Sequence, residues 1–420
     1  MGPAPRAQTL AEAVHSAIGR HPEVRAALSN LRAVSETIAQ SRAGYLPSLD
    51  VNLAQGRERT DSPITRAAGP PPTLTRSEAG ITASQLLFDT GATSGDVARA
   101  RARAQAAQAQ LEITAEAVAL RTVQAYYDVL RLRALIALAE GNVSAHERTL
   151  EQVARRSQSG VGRRSDERQT AARVALAGST LAQLRGQLLQ AEAQYRNETG
   201  TAPGDLSQSA VPFDALPPTL QAAVEEARAS HPAVRSARLE VDAALAERDV
   251  ARARYGPRVT FELAARRNHD LDGLPGLNAE RTAMLVLRQN LFRGGADVAR
   301  VRETEARRDQ AADVVARVQA ELEREVRVAW EGLAAERARL PDLLRYAEAS
   351  AEVVDAYRSQ FGIGQRTLLD VLNAENELYS ARGGYVSADA AVAVGAHRLL
   401  AATGRLLAQL GVRLPAEAAR

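Results

Sequence analysis

No cysteine occurs in the 420 residues, which removes disulfides, thiolate metal sites and thiol nucleophiles together. Lysine is absent as well, so the 53 basic residues are all arginine, set against 50 acidic ones. Near-balance on so many charges gives no concentrated basic face, and nucleic acid is not an expected partner. No uncharged apolar run approaches the ~18 residues that a membrane-spanning helix requires. The opening Met1–Arg6 lacks the apolar core of a secretory signal. Aromatics make up only 4% of the chain while hydrophobic residues reach 45%. The apolar content is Ala, Leu and Val, which together with Glu and Arg predicts long, closely packed helices rather than a bulky globular core.

What the chain does contain is itself, twice. His21-Pro22-Glu23-Val24-Arg25 returns as His231-Pro232-Ala233-Val234-Arg235, an offset of 231 − 21 = 210, and Tyr45 and Pro47 match Tyr255 and Pro257 at the same offset. Gln85-Leu86-Leu87-Phe88 matches Gln289-Asn290-Leu291-Phe292 at 289 − 85 = 204. The stretch from Arg156 to Ser165 matches Arg358 to Thr367 at 358 − 156 = 202, and Thr199-Gly200 matches Thr403-Gly404 at 204. Separated blocks in one order with small drifts in offset mean tandem duplication.

Residues 10–200 form the first repeat and residues 219–412 the second, with the Pro-punctuated segment 201–218 as linker. Each repeat reads as a helix ending near Tyr-x-Pro, two strands, a long helix, a Gly-x-Gly break and a further helix. The strands fall near 47–57 and 78–88, then near 257–266 and 281–291, and the breaks at 159–164 and 361–366. Leu49-Asp50-Val51-Asn52-Leu53 and Val259-Thr260-Phe261-Glu262-Leu263 alternate apolar with polar residues. Such alternation suits a membrane β-barrel wall, with lipid on one side and lumen on the other. Taken alone it better suits four half-buried strands of a soluble sheet. Residues 58–77 and 267–280 read as solvent loops, the second a compact hairpin connection.

A four-three stripe runs through Leu111, Ala115, Val118, Thr122, Ala125, Val129, Leu132, Ile136 and Ala139. Val315, Val318, Leu322, Val326, Ala329 and Leu333 give its counterpart. Sustained stripes of this kind predict coiled-coil packing. A helix of roughly 60 residues would be about 90 Å long, more than a compact globule needs.

The run from Phe361-Gly362-Ile363-Gly364-Gln365-Arg366-Thr367 to Asp370-Val371-Leu372-Asn373-Ala374-Glu375 resembles the periplasmic tip turn and following helix of TolC-family export channels. Gln-x-Leu-Phe at Gln85 and Gln289 is similar to that family's exit from its second barrel strand. The resemblance covers nearly the whole chain, from about Leu10 to Val412. It implies a mainly α fold with membrane β: a homotrimer whose protomers each give four strands to a 12-stranded barrel that continues as a long periplasmic α-helical barrel. Four strands cannot close a barrel, and lipid does not tolerate an open edge. That argument requires an oligomer, dimer or trimer, and only the resemblance selects three.

The resemblance further implies a passive duct, not an enzyme, in the Gram-negative outer membrane and reaching into the periplasm, with a signal peptide removed. Its implied partners are outer-membrane lipid, a periplasmic adaptor (membrane fusion protein), an inner-membrane ABC transporter and an exported protein such as a toxin or adhesin. The run from Gly364 to Arg382 is most similar to members serving type I secretion. Small-molecule efflux is the alternative. By position, Asp370 is implied as an acidic ring at the constriction, Arg366 as a latch and Phe361 as an aromatic that joins it. Two departures stand out: Asn373 replaces a second acidic residue, and Arg168 stands where a latch-accepting aspartate is expected, leaving Asp166 or Glu167 as shifted partners. The adaptor would dock on Gly160-Val161-Gly162 and Gly362-Ile363-Gly364. Without the family context, Arg366 and Asp370 read as an exposed i,i+4 pair on one helix face.

No cofactor or metal is expected. The six histidines are scattered without metal-ligand spacing, and His21 and His231, each ahead of a proline, read as helix caps. Gly160-Val161-Gly162 lacks both the preceding strand and the following Lys of a phosphate loop. Tyr126, Tyr127 and Trp330 read as packing residues.

Overall fold

The computed structural model describes residues 7–67, 69–159 and 162–414. The first repeat gives α1 (Leu10–Arg20), α2 (Pro22–Ala43), β1 (Ser48–Glu58), a short α3 (Pro63–Ala67), β2 (Leu74–Phe88), α4 (Ala92–Gln158) and α5 (Arg164–Thr199). The second gives α6 (Leu220–Ser230), α7 (Pro232–Ala253), β3 (Arg258–His269), β4 (Leu277–Arg288), α8 (Ala296–Gly362), α9 (Leu368–Ala402) and a final turn α10 (Leu406–Gln409). Equivalent helices match closely: α1 and α6 have 11 residues each, α2 and α7 have 22, and α4 and α8 have 67. The duplication therefore preserves helix length. The offset changes between the strands, where β1 and β2 are joined through 59–73 but β3 and β4 through only 270–276.

Local chemistry sets these boundaries in both copies. Thr9 and Glu12 form a reciprocal capping box on α1, and Thr219 accepts from Ala222 N–H at 3.1 Å on α6. His21 and His231 close one helix and open the next. Their Nδ1 atoms accept from Glu23 N–H at 3.2 Å and Ala233 N–H at 3.1 Å, the capping role that the His-Pro pairs imply.

The strands form one antiparallel sheet in the order β1-β2-β3-β4. β2 begins at Leu74, four residues before 78, because β1 runs to Glu58 and pairs along its whole length. β4 occupies Leu277–Arg288 rather than 281–291. The hairpin is tight: Asp270 N–H donates to Gly276 O at 3.0 Å and its carboxylate accepts from Gly276 N–H at 2.8 Å. Asp270 and Asp272 adopt φ of 56° and 54°, and the ladder resumes at once.

Two compact units are present, and each draws segments from both repeats. One (30–108 and 236–316) contains the sheet; the other (1–29, 109–235 and 317–420) contains α1, α5, α6, α9 and α10. In the latter, Leu111, Ala115, Val118, Thr122, Ala125, Val129 and Leu132 are buried as the stripe predicts, and Thr122 Oγ1 donates to Val118 O at 2.8 Å. Ala119, Val123 and Tyr126 are buried too, so the apolar face of α4 is wider than a two-position seam. Leu322, Val326, Ala329 and Leu333 of α8 share a core with Val224, Val234, Val392 and Leu399, with Trp330 packed on its side.

Candidate channel wall and tip

Opposed residues of an antiparallel pair share a face, so the register sorts the sheet's side chains into two sets. One face carries Leu49, Val51 and Leu53 of β1, Ile81 and Ala83 of β2, Val259, Phe261 and Leu263 of β3, and Ala283, Leu285 and Leu287 of β4. Many are fully presented to the surroundings: Leu53 is 74% exposed and Leu285 69%. The other face carries Asp50, Asn52, Glu58, Arg76, Glu78, Thr82, Glu262, Arg266, Glu280 and Arg288. Most of its charges are paired: Arg76 with Glu58 at 2.8 Å and Glu78 at 2.5 Å, Arg288 with Glu262 at 3.0 Å, and Arg266 with Glu280 at 3.7 Å. An exposed apolar face backed by a polar, ion-paired face is the inverse of a soluble sheet and matches a wall between lipid and water. β1 and β4 end the ladder with unpaired edges, which lipid does not tolerate.

The duplicated motifs fasten the strand ends. Gln85 Nε2 donates to Tyr45 O at 2.8 Å, and Gln289 Nε2 to Tyr255 O at 3.3 Å. Each glutamine of Gln-x-Leu-Phe thus holds the Tyr-x-Pro turn of its own repeat. Sequence reading recognised both motifs but not that they bond to each other.

Beyond the turn that follows α8, Thr367 caps α9 and Asp370 completes its capping box. The Asp370 carboxylate accepts from Thr367 N–H at 3.2 Å and Thr367 Oγ1 at 2.8 Å. Arg366 precedes the cap and is therefore not on the helix, which corrects the shared-helix-face expectation for this pair. Its Nη1 still lies 4.0 Å from Asp370 Oδ2, while Nε donates to Gln360 Oε1 at 3.0 Å and the guanidinium stacks 4.3 Å from the Tyr357 ring centroid. Phe361 packs against Val153, Leu368 and Leu372, with Arg156 5.0 Å from its ring centroid. Asp166, Glu167 and Arg168 lie at the start of α5, where acids suit the helix N-terminus. Among the described residues of one protomer, none of the three reaches Arg366.

Gly364 has φ of 79° in the reversal after α8, a conformation glycine adopts without strain. Gly162 sits so close to the end of α4 that an added Cβ would lie 2.9 Å from Ser157 N. Gly362 ends α8, and Ile363 is exposed. Gly160 and Val161 lie outside the described residues.

One cluster escaped sequence reading. Glu375 of α9, only 4% exposed, accepts from Arg358 Nε and Nη2 of α8 at 3.1 and 2.9 Å. Its other oxygen lies 3.0 Å from Nδ1 of the buried His146 of α4. Burial pushes the Glu375 carboxyl up, but His146 and Arg358 outweigh it and hold the group below its ordinary value. The signal was an acid continuing the Leu368, Val371 and Leu372 stripe at helical spacing. Among the described residues no cluster of His, Asp or Glu could hold a metal ion.

A family profile described as "Outer membrane efflux protein" matches residues 13–201 and 223–405, one segment for each repeat. The outer membrane efflux protein BepC of Brucella suis is 28% identical over 418 residues, covering 98% of this chain and 89% of BepC. Protein CyaE of Bordetella pertussis is 28% identical over 416 residues, covering 96% and 86%. The solved outer membrane protein VceC of Vibrio cholerae shares the fold, with a TM-score of 0.78 at 17% identity and 97% of each chain covered. The wall-like sheet, the paired long helices and these matches agree: the chain belongs to the outer membrane efflux protein family and is a passive channel of the Gram-negative outer membrane with a periplasmic extension, not an enzyme.

Proposed function

We propose that three copies of this chain close a barrel of 3 × 4 = 12 strands and act as the outer-membrane exit duct of a type I secretion system. The observation that carries the duct is the sheet itself: apolar outside, ion-paired inside, with two edges that only further copies can satisfy in lipid. Support for protein cargo comes from the run Gly364–Arg382, which resembles secretion members of the family. In this reading a periplasmic adaptor docks on the tip around Gly162 and Gly362–Gly364, and an inner-membrane ABC transporter supplies the energy. Asp370 lines the narrowest point, with Arg366 and Phe361 steadying the helices beside it. Asp166 or Glu167 of a neighbouring protomer would then serve as the partner that Arg366 lacks within its own chain. The two sequence repeats are taken as the building units, each giving one pair of strands and one pair of long helices.

Small-molecule efflux is the second reading, favoured by the similarity to BepC, whose name is that of an efflux protein. Deleting the gene separates the two. Loss of one large protein from the culture supernatant with unchanged drug susceptibility is the expected result. Sensitisation to drugs with an unaltered supernatant would reject the secretion reading and leave the channel in place.

A further inference from the structure

All five carboxylates of the strands, Asp50, Glu58, Glu78, Glu262 and Glu280, lie on the polar face. The apolar face carries three arginines and no acid: Arg57 of β1, Arg267 of β3 and Arg281 of β4. All three are exposed. Arg57 and Arg267 lie at the strand ends that join at residues 59–73 and 270–276, and Arg281 sits four residues in from the start of β4, opposite Ala265. Arg57 is the penultimate residue of β1, and Arg267 lies two residues from the end of β3. Among the described residues none of the three has an ion-pair partner, whereas three of the four polar-face arginines, Arg76, Arg266 and Arg288, do.

This sorting is not forced by the fold. An arginine on a lipid-facing wall is costly at mid-membrane and nearly free at its rim, and it brings its long stem to the apolar surface and its head to the headgroup level. Because no strand carboxylate shares that face, pairing β1 with β4 of a neighbouring copy supplies no strand partner either. The acids of the adjoining loops are already engaged, Asp61 by Arg66, Asp272 by Arg76 and Asp270 by the Gly276 N–H, which leaves the lipid as the source of charge for these guanidiniums. With the helices periplasmic, the arginine-bearing end faces the outer leaflet, whose glycolipid is phosphorylated. A guanidinium fork grips phosphate in two-point fashion.

We propose that Arg57, Arg267 and Arg281 form a phosphate-binding rim on the outer wall of the channel that holds phosphorylated glycolipid of the outer leaflet. This rests on the membrane-channel reading above. The test uses the full chain purified as its detergent-stable oligomer, titrated by native mass spectrometry with phosphorylated lipid A and with its dephosphorylated form. Retention of the phosphorylated form should be stronger by about tenfold or more. The triple variant Arg57→Gln, Arg267→Gln, Arg281→Gln should lose that preference, while the polar-face control Arg266→Gln keeps it. If the triple variant does not assemble, each single variant should lower the preference in turn.

Equal retention of the two lipids, or a preference unchanged in the variants or lost equally in Arg266→Gln, would overturn the rim. Competition by millimolar inorganic phosphate as effective as lipid would overturn it as well, showing an isolated anion site. Planar-bilayer conductance of the same preparation separates the two readings: pores without lipid preference reject the rim alone, and absence of pores rejects the channel and the rim with it.

Discussion

The Thr367 hydroxyl and N–H hold the Asp370 carboxylate below the ordinary aspartate range, with Arg366 adding to the effect. The same carboxylate both caps α9 and, in the proposed trimer, rings the narrow opening with negative charge. Asp370→Asn separates these roles, because asparagine retains an acceptor for the cap. The expected outcome in planar bilayers is a reversal potential moved toward zero in a salt gradient, with the melting temperature little altered. An unchanged reversal potential would leave Asp370 as a capping residue only. Glu116 of α4 offers a pH test. Burial is the main cause pushing its carboxyl up to about 7, although Leu407 N–H donates to it at 3.3 Å. A raised folded value means that the group's stability contribution is complete below its ordinary 4.5 and is lost as pH rises through about 7. The loss is on the order of 3 kcal/mol at most. Melting in detergent should therefore fall between about pH 4.5 and pH 7 and level off above that, and Glu116→Gln should flatten that fall; an equally steep fall in the variant would refute the assignment.

At the scale of elements, the strand register makes neighbouring residues opposites. Leu285 points to the apolar face and Met284 to the polar one. Leu285→Arg places a charge toward lipid in the helix-side half of β4, three residues from its end, at a cost of up to roughly 2–4 kcal/mol, while Met284→Arg joins a face already lined with Arg and Glu. The first variant should reduce the yield of heat-resistant oligomer in the outer membrane, and the second should leave it close to wild type. Similar yields for both would mean that the faces are assigned the wrong way round. The helices follow a different logic. Their lengths agree between repeats to the residue in α4 and α8, because each must end where its partner turns back. The connections between strands carry no such constraint and differ freely, 59–73 against 270–276.

For the whole molecule, the open edges of β1 and β4 lead to a mass prediction. The detergent-solubilised protein should weigh three chains of 44.9 kDa plus detergent. A stable monomer or dimer under native conditions would remove the barrel as proposed, whatever the tip residues do.

The duplication, the four strands, the long helices and the family were all legible in the sequence. Each rests on a signal that is local or periodic: a repeated motif, a two-residue alternation, a four-three stripe, a Gly-x-Gly break. Hairpin ends were less legible. β4 began earlier than its apolar residues indicate because Asp270 and Gly276 close the loop by hydrogen bonds that periodicity does not record. At the tip, spacing alone placed Arg366 and Asp370 on one helix face, but Thr367 caps α9 between them. Only the tertiary structure joined Glu375 to His146 and Arg358, residues 229 and 17 positions away (375 − 146 and 375 − 358). It alone set the strand register that puts every strand carboxylate on one face. The physical reason is the same in both cases. Period and composition act within an element, whereas a buried charge or a sheet face is defined by what lies across from it, and that partner is chosen by packing.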